Sequence, residues 1–229
     1  MAPRKKKKEE EPKDKEQVDG EIVPLEEVLP MLMEAAGQKA DQKPKVTGIY
    51  GDVNEEKCAE IVYSLYMLRE QCRISKFEKN EETGELEETI YVKPIEFVVS
   101  TYGGSASEMF GVYDVMRVMK EEIPIHTFGV GKVMSAGVLL LAAGTKGERR
   151  IGANCRVMIH GILAGQHGYL PDIENEFEEA KFTQQNYINS LAAETNMKPA
   201  YIRKLMQRKS NVYISAKEAV ELGIADIIV

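Results

Sequence analysis

From residue 46 onward the chain alternates short β-branched apolar runs with longer segments whose apolar residues recur at helical spacing. Residues 46–50 predict a strand, and residues 55–71 predict a helix with Ile61, Leu65 and Leu68 on its buried stripe. Residues 73–94 hold two strand-like runs on either side of 80–85 and read as a charged β-hairpin. Residues 95–100 have the continuous apolar character of a strand buried in a parallel sheet. Thr101-Tyr-Gly-Gly-Ser105 follows, then a helix to about residue 120. Residues 123–128 predict the next strand, ending in a glycine-rich loop, with a helix over 135–143 behind it. A strand at 157–160, a loop at 161–171 and a long helix from 172 to about 194 come next. Helices at 199–208 and 215–222 and a strand at 227–229 close the chain. Strands alternating with helices through short loops mean parallel βαβ units, hence an α/β fold.

The pattern differs ahead of residue 46. Leu25, Val28, Leu29, Leu32 and Met33 place an amphipathic helix over 24–36, and 37–45 read as a linker. Residues 1–20 are mostly Lys, Arg, Glu and Asp with almost no apolar side chain, too few to repay ordering entropy, so a disordered charged tail is expected. Its basic block at 4–8, followed by acids at 9–11, reads as a solvating tail rather than a nuclear signal or nucleic-acid arm. The expected organisation is therefore a tail (1–20), a helix and linker (21–45) and one domain (46–229) carrying a hairpin at 73–94.

Charge narrows the choice of partner. Thirty Lys and Arg against thirty-seven Asp and Glu leave a net charge of −7, which argues against a nucleic-acid binder. Cys58, Cys72 and Cys155 are irregularly spaced with no CxxC pair, so neither a disulfide framework nor a structural zinc site is expected, and a reducing, cytoplasmic setting is. The apolar run at 133–144 falls short of the ~20 residues that cross a bilayer, and the N-terminal basic run lacks the apolar segment of a secretory signal. No membrane association, metal or cofactor is expected.

In open α/β sheets, ligands sit at the carboxyl ends of strands, where helix N-termini present free N–H groups. Two such turns occur, Tyr102-Gly103-Gly104-Ser105 and the stretch from Gly129 to Gly137. The second lacks the GxGxxG spacing and the distal acid of a dinucleotide loop. Ser135 stands where a strand-to-helix turn exposes a hydroxyl, between Met134 and the small pair Ala136-Gly137. A serine nucleophile needs a base and oxyanion donors. Of the three histidines, His126 lies inside an apolar strand and His167 in a glycine-rich loop, whereas His160 ends a strand and can point into the same crevice. Composition and periodicity leave open whether Ser135 and His160 are reactive or merely structural.

The segments Gly103-Gly-Ser-Ala-Ser-Glu-Met-Phe-Gly-Val-Tyr-Asp-Val-Met116, Met134-Ser-Ala-Gly-Val-Leu-Leu-Leu-Ala-Ala-Gly144 and Asn154-Cys-Arg-Val-Met-Ile-His160 resemble the ClpP family of serine peptidases. Gly165-Gln-His-Gly-Tyr-Leu-Pro-Asp-Ile-Glu174 and Ile214-Ser-Ala-Lys-Glu-Ala-Val-Glu-Leu-Gly-Ile-Ala-Asp226 continue the match in order, over roughly residues 46–229. The resemblance implies a ClpP/crotonase-like fold with a protruding handle helix beginning near Asp172. It implies Ser135 as nucleophile, His160 as general base and then acid, and the backbone N–H groups of Gly104 and Ala136 as oxyanion hole. Gly103 and a glycine-rich strand at Gly161, Ile162 and Leu163 would bind an extended peptide by β-augmentation. It also implies stacked heptamer-like rings, unfolded polypeptide substrates and a Clp-type AAA+ unfoldase that alone uses ATP.

Three positions depart from that pattern. The third triad residue falls on Asn211, which can orient an imidazole through its carbonyl but cannot supply charge. Val212 stands where many relatives carry an Arg that engages an acidic handle residue, although Asp172, Glu174, Glu176, Glu178 and Glu179 keep this handle acidic. The 73–94 hairpin is an addition near the place where the family docks its unfoldase, and two readings stand: it creates, replaces or covers that site, or it is a surface insertion with no role. Two rivals follow: a catalytically weak or silent subunit of a mixed ring, and a crotonase-like acyl-CoA enzyme, which would place carboxylates in the pocket instead.

Overall fold

The computed structural model describes residues 45–79, 86–165, 167–208 and 210–229; the expected tail, helix and most of the linker before β1, and the hairpin turn at 80–85, lie outside them. Strands β1 (Val46–Val53), β4 (Ile95–Gly104) and β5 (Ile125–Met134) run parallel at the centre of the main sheet. Their connecting helices are α1 (Glu55–Cys72) and α2 (Ala106–Met119). Each helix starts where the sequence supplies a cap: Asn54 accepts from Lys57 N at 3.0 Å, and Ser105 from Glu108 N at 3.4 Å. Ile61 and Leu65 of α1 and Met109, Val112 and Met116 of α2 then bury against Ile49, Phe97 and Val99 of the sheet. Parallel βαβ units and an α/β fold are what the alternation predicts.

The central strands outrun the sequence expectation. β4 continues through Thr101-Tyr-Gly-Gly104 and β5 through Gly129 and Gly131 to Met134, so the supposed glycine-rich loops are strand ends. The reason is pairing. After a register shift, Thr101 pairs with Val133, and β5 exchanges one neighbour, β6 (Arg150–Ile151), for another, β7 (Arg156–Ile159). Ladder hydrogen bonds on both sides hold a glycine-rich stretch extended although its intrinsic preference is weak. β6, and β8 (Val212–Ile214), which pairs antiparallel with β7, are too short to show a period-two pattern. β9 (Ile227–Ile228) pairs with β6 and completes the seven-stranded sheet.

Between β5 and β6 lies α3 (Ala136–Ala142), seven residues that are all buried. The long helix α4 (Leu170–Glu194) begins two residues before the expected start, with Pro171 in the first turn, where its missing N–H costs nothing. α5 (Pro199–Met206) and α6 (Ala216–Glu221) follow, the latter opened by a capping box between Ser215 and Glu218. As predicted, β2 (Arg73–Lys79) and β3 (Leu86–Val92) form a separate antiparallel pair. Arg69 and Arg73 reach Glu122 Oε2 at 2.6 and 2.7 Å beside it. No helix among the described residues is long and apolar enough to cross a membrane.

A buried polar network fixes the far end of α3. Arg149, 4% exposed, grips Asp226 bidentately at 2.7 and 2.6 Å and donates from Nη1 to the carbonyls of Ala142 and Glu194. Lys120 Nζ bonds Ala143 O and Glu194 Oε2, both at 3.0 Å. Two cations thus satisfy carbonyls that the end of α3 leaves without intrahelical partners. Burial pushes the Asp226 carboxyl up, but the Arg149 side-chain and backbone donors outweigh it and hold it below the usual carboxylate range. A depressed carboxyl contributes stability above its unfolded pKa and loses it as pH falls through the folded value. Arg149→Met strands that charge, so it is expected to cost about 3–5 kcal/mol near neutral pH, a loss that shrinks as acid protonates Asp226. Urea and acid titrations of the variant check both.

Candidate active site

Ser135 and His160 leave the carboxyl ends of neighbouring parallel strands, Ser135 directly after β5 and His160 directly after β7. Ser135 adopts φ 54° and ψ −119°, and among the described residues no other non-glycine has positive φ. Such a conformation costs ~1–3 kcal/mol and persists only where the surroundings over-determine it. They do so here. Its N–H donates to Met158 O at 2.8 Å, and its carbonyl accepts from Val138 N and the Tyr187 hydroxyl, both at 3.0 Å. The turn places Ser135 on the wall of a cavity of about 400 Å³ that His160 also lines. The sequence suggests the turn; the strain is visible only in the structure.

The Nδ1 atom of His160 lies 2.5 Å from Gly161 O. With the proton on Nδ1, assigned from that acceptor, Nε2 carries the lone pair a general base needs. Asn211 stands opposite His160 in register, one step beyond the Ile159–Val212 pair of the β7–β8 ladder. Its side chain is exposed, and no hydrogen bond joins it to His160. Asp172, the first of the handle acids, is exposed in the first turn of α4. His126 instead sits between Glu96 Oε1 and Glu148 Oε2 at 3.5 and 3.9 Å, and His167 lies in an exposed loop; neither lines the cavity.

Gly104 and Ala136 both line the cavity. Ala136 is the first residue of α3, where N–H groups have no intrahelical acceptor. Gly103 backs Ser135 so closely that a Cβ there would sit 2.6 Å from Ser135 Cβ, at a φ of +105° that favours glycine. Gly103→Ala is therefore expected to displace Ser135 and, if that residue carries the reaction, to lower peptide turnover by about 10²-fold or more. Steady-state kinetics alongside a melting curve separate that from simple unfolding.

Gly161, Ile162 and Leu163 do line the cavity, but they form no strand. The Gly161 carbonyl faces His160, the Ile162 N–H donates to Gln184 Oε1 at 3.2 Å, and Leu163 is exposed. The expected glycine-rich strand after His160 is an extended loop whose first polar groups are already engaged. Sequence reasoning passed over Tyr187, which holds the Ser135 carbonyl from α4 and whose phenol burial pushes up, keeping it a donor. It also passed over Met109 and Met206, which supply apolar wall. Helical periodicity marks all three as core and cannot tell a core residue from one facing a cavity. Val212 packs against the hydrophobic core, and the five handle acids are exposed.

Comparison with known proteins agrees with this geometry. The Clp protease family model matches residues 84–229. The chain belongs to the Clp protease family. Its matched relatives include the ATP-dependent Clp protease proteolytic subunit 1 of Prochlorococcus marinus (strain MIT 9312), 35% identical over 136 residues, which are 59% of this chain and 68% of that protein. The namesake of Prochlorococcus marinus subsp. pastoris is likewise 35% identical over 136 residues, 59% of this chain and 67% of its own. As a Clp protease family member the chain has the mixed α/β fold, with a parallel sheet, that its alternation predicts, and the family is one of peptidases. Among the described residues no carboxylate lines the cavity, where a crotonase-like acyl-CoA enzyme would be expected to place one.

Proposed function

We propose that the protein is a serine endopeptidase subunit that cleaves unfolded polypeptides, with Ser135 as nucleophile and His160 as base. The observation that carries this reading is the strained Ser135 turn opening into one cavity with His160. A positive φ on a serine is costly in a merely structural role and is the usual sign of a hydroxyl presented for reaction. In this mechanism His160 Nε2 removes the Ser135 proton as Oγ attacks the scissile carbonyl. The N–H groups of Gly104 and Ala136 receive the developing oxyanion, and His160 returns the proton to the leaving amine. Asn211 takes the third position when its carbonyl replaces Gly161 O as acceptor for Nδ1–H. The register that sets it opposite His160 supports this.

Assembly into stacked heptamer-like rings with a cytoplasmic Clp-type AAA+ unfoldase completes the reading, and rests on family membership. A catalytically silent role in a mixed ring has one observation in its favour, the exposed Asn211 that makes no bond to His160. Fluorogenic peptide hydrolysis by the purified full chain, followed by native mass spectrometry, tests the proposal. Turnover by a ring-sized homo-oligomer is expected. An inert chain that gains turnover only through another subunit's serine would establish the silent role.

A further inference from the structure

Next to the cavity's Tyr102, the ammonium of Lys132 packs against two aromatic faces. Its Nζ lies 4.8 Å from the ring centroid of Tyr102 and 5.2 Å from that of Tyr50. Both distances fall within cation–π range. Tyr102 itself lines the cavity beside Ser135 and Gly104. The three side chains come from three adjacent parallel strands, β1, β4 and β5, whose register brings Tyr50 opposite Ser100 and Val133 opposite Thr101. They therefore rest on a rigid platform. Both tyrosines are well exposed, 72% for Tyr50 and 64% for Tyr102, while Lys132 is half-buried between them.

This arrangement leaves a charge unanswered. Among the described residues no carboxylate lies within ion-pair distance of Lys132, whereas Lys120, Arg149 and Arg150 all have carboxylate partners. Ring faces stabilise an ammonium without occupying its three N–H donors as a carboxylate would. Among the described residues the cavity wall carries neither an acid nor a Lys or Arg; Lys132 is a cation close to it, with Lys57, whose Nζ donates to Tyr50 O at 3.1 Å, a second. Lys132 precedes Ser135 by three residues along β5 and its end, about 10 Å at the rise of an extended strand. An extended peptide covers the same distance in two to three residues.

We propose that Lys132, clamped by Tyr50 and Tyr102, is a specificity-determining subsite that takes an Asp or Glu side chain of the substrate two to three residues from the scissile bond. The inference rests on the peptidase reading above and deepens it. The tyrosines hold the ammonium in one place before substrate arrives, which reduces the side-chain entropy that weakens most exposed ion pairs. The apolar walls beside it strengthen the attraction relative to bulk water.

Cleavage-site profiling of a denatured-protein peptide mixture by mass spectrometry, on the full chain, identifies the position. A pair of quenched peptides differing there only as Glu against Gln then measures the preference. The wild-type protein is expected to favour Glu by about five- to tenfold in kcat/KM, less as salt is raised. Lys132→Gln is expected to bring the ratio to near unity. Lys132→Arg is expected to keep it, since a guanidinium stacks on tyrosine and stays charged. The proposal is overturned if the wild-type protein shows no acidic preference at these positions, if the preference ignores salt, or if Lys132→Gln retains it. The salt series on wild-type protein decides the matter even where a variant misfolds. Failure to cut either peptide, with no labelling of Ser135 by a fluorophosphonate, instead removes the peptidase reading and this inference with it.

Discussion

Ser135→Ala is expected to lower peptide hydrolysis by about 10⁴- to 10⁶-fold, the range seen when the nucleophile of a serine triad is removed. At ~1.4 kcal/mol per factor of ten, that is about 5.5–8 kcal/mol of transition-state stabilisation. The change deletes one hydroxyl and leaves the Met158, Val138 and Tyr187 bonds to the residue's backbone in place. Alanine is no more comfortable than serine at φ 54°, so the strain is unchanged and the melting temperature should stay within about 2 °C. Full activity in the purified variant would move the nucleophile elsewhere.

Asn211→Asp carries the second-largest expected effect, and its sign is opposite. In the proposed mechanism His160 becomes an imidazolium as Ser135 gives up its proton, and a neutral amide stabilises that charge less than a carboxylate does. The β7–β8 register, continued one step past Ile159–Val212, sets Asn211 opposite His160. An Asp there is expected to raise kcat by between a few-fold and about 10³-fold, and to move the acidic limb of the pH–rate profile to higher pH. Because the position is exposed, the new charge costs little desolvation. Asn211→Ala is expected to lower kcat. If both substitutions leave rate and profile unchanged, the Gly161 carbonyl orients His160 on its own and the third position is vacant.

The helices and the central strands were legible because their apolar positions follow one period or the other; Ile61 and Leu65 of α1, for example, bury as their spacing requires. Strand ends were not, because β4 and β5 run through Gly103-Gly104 and Gly129–Gly131 on hydrogen bonds supplied by neighbours that sequence pattern cannot see. Ser135 and His160 could be paired as candidates from strand-end placement, but only the family resemblance chose them. The structure then brings them to one cavity. Tyr187 and Lys132 were not singled out, and Tyr102 only as part of its turn, since a tyrosine in an apolar helix stripe reads as core and a lysine in a glycine-rich loop reads as solvated. Their roles depend on contacts between residues far apart in the chain, such as Tyr187 with Ser135.

Labelling with a fluorophosphonate probe, followed by peptide mapping, tests the central claim most directly, because the probe reacts with a serine only when a base and an oxyanion hole activate it. The account predicts a single labelled residue, Ser135, with labelling abolished in Ser135→Ala and slowed by at least about 10²-fold in His160→Ala. A folded wild-type chain that takes up no label, or carries it on a different serine, would contradict it.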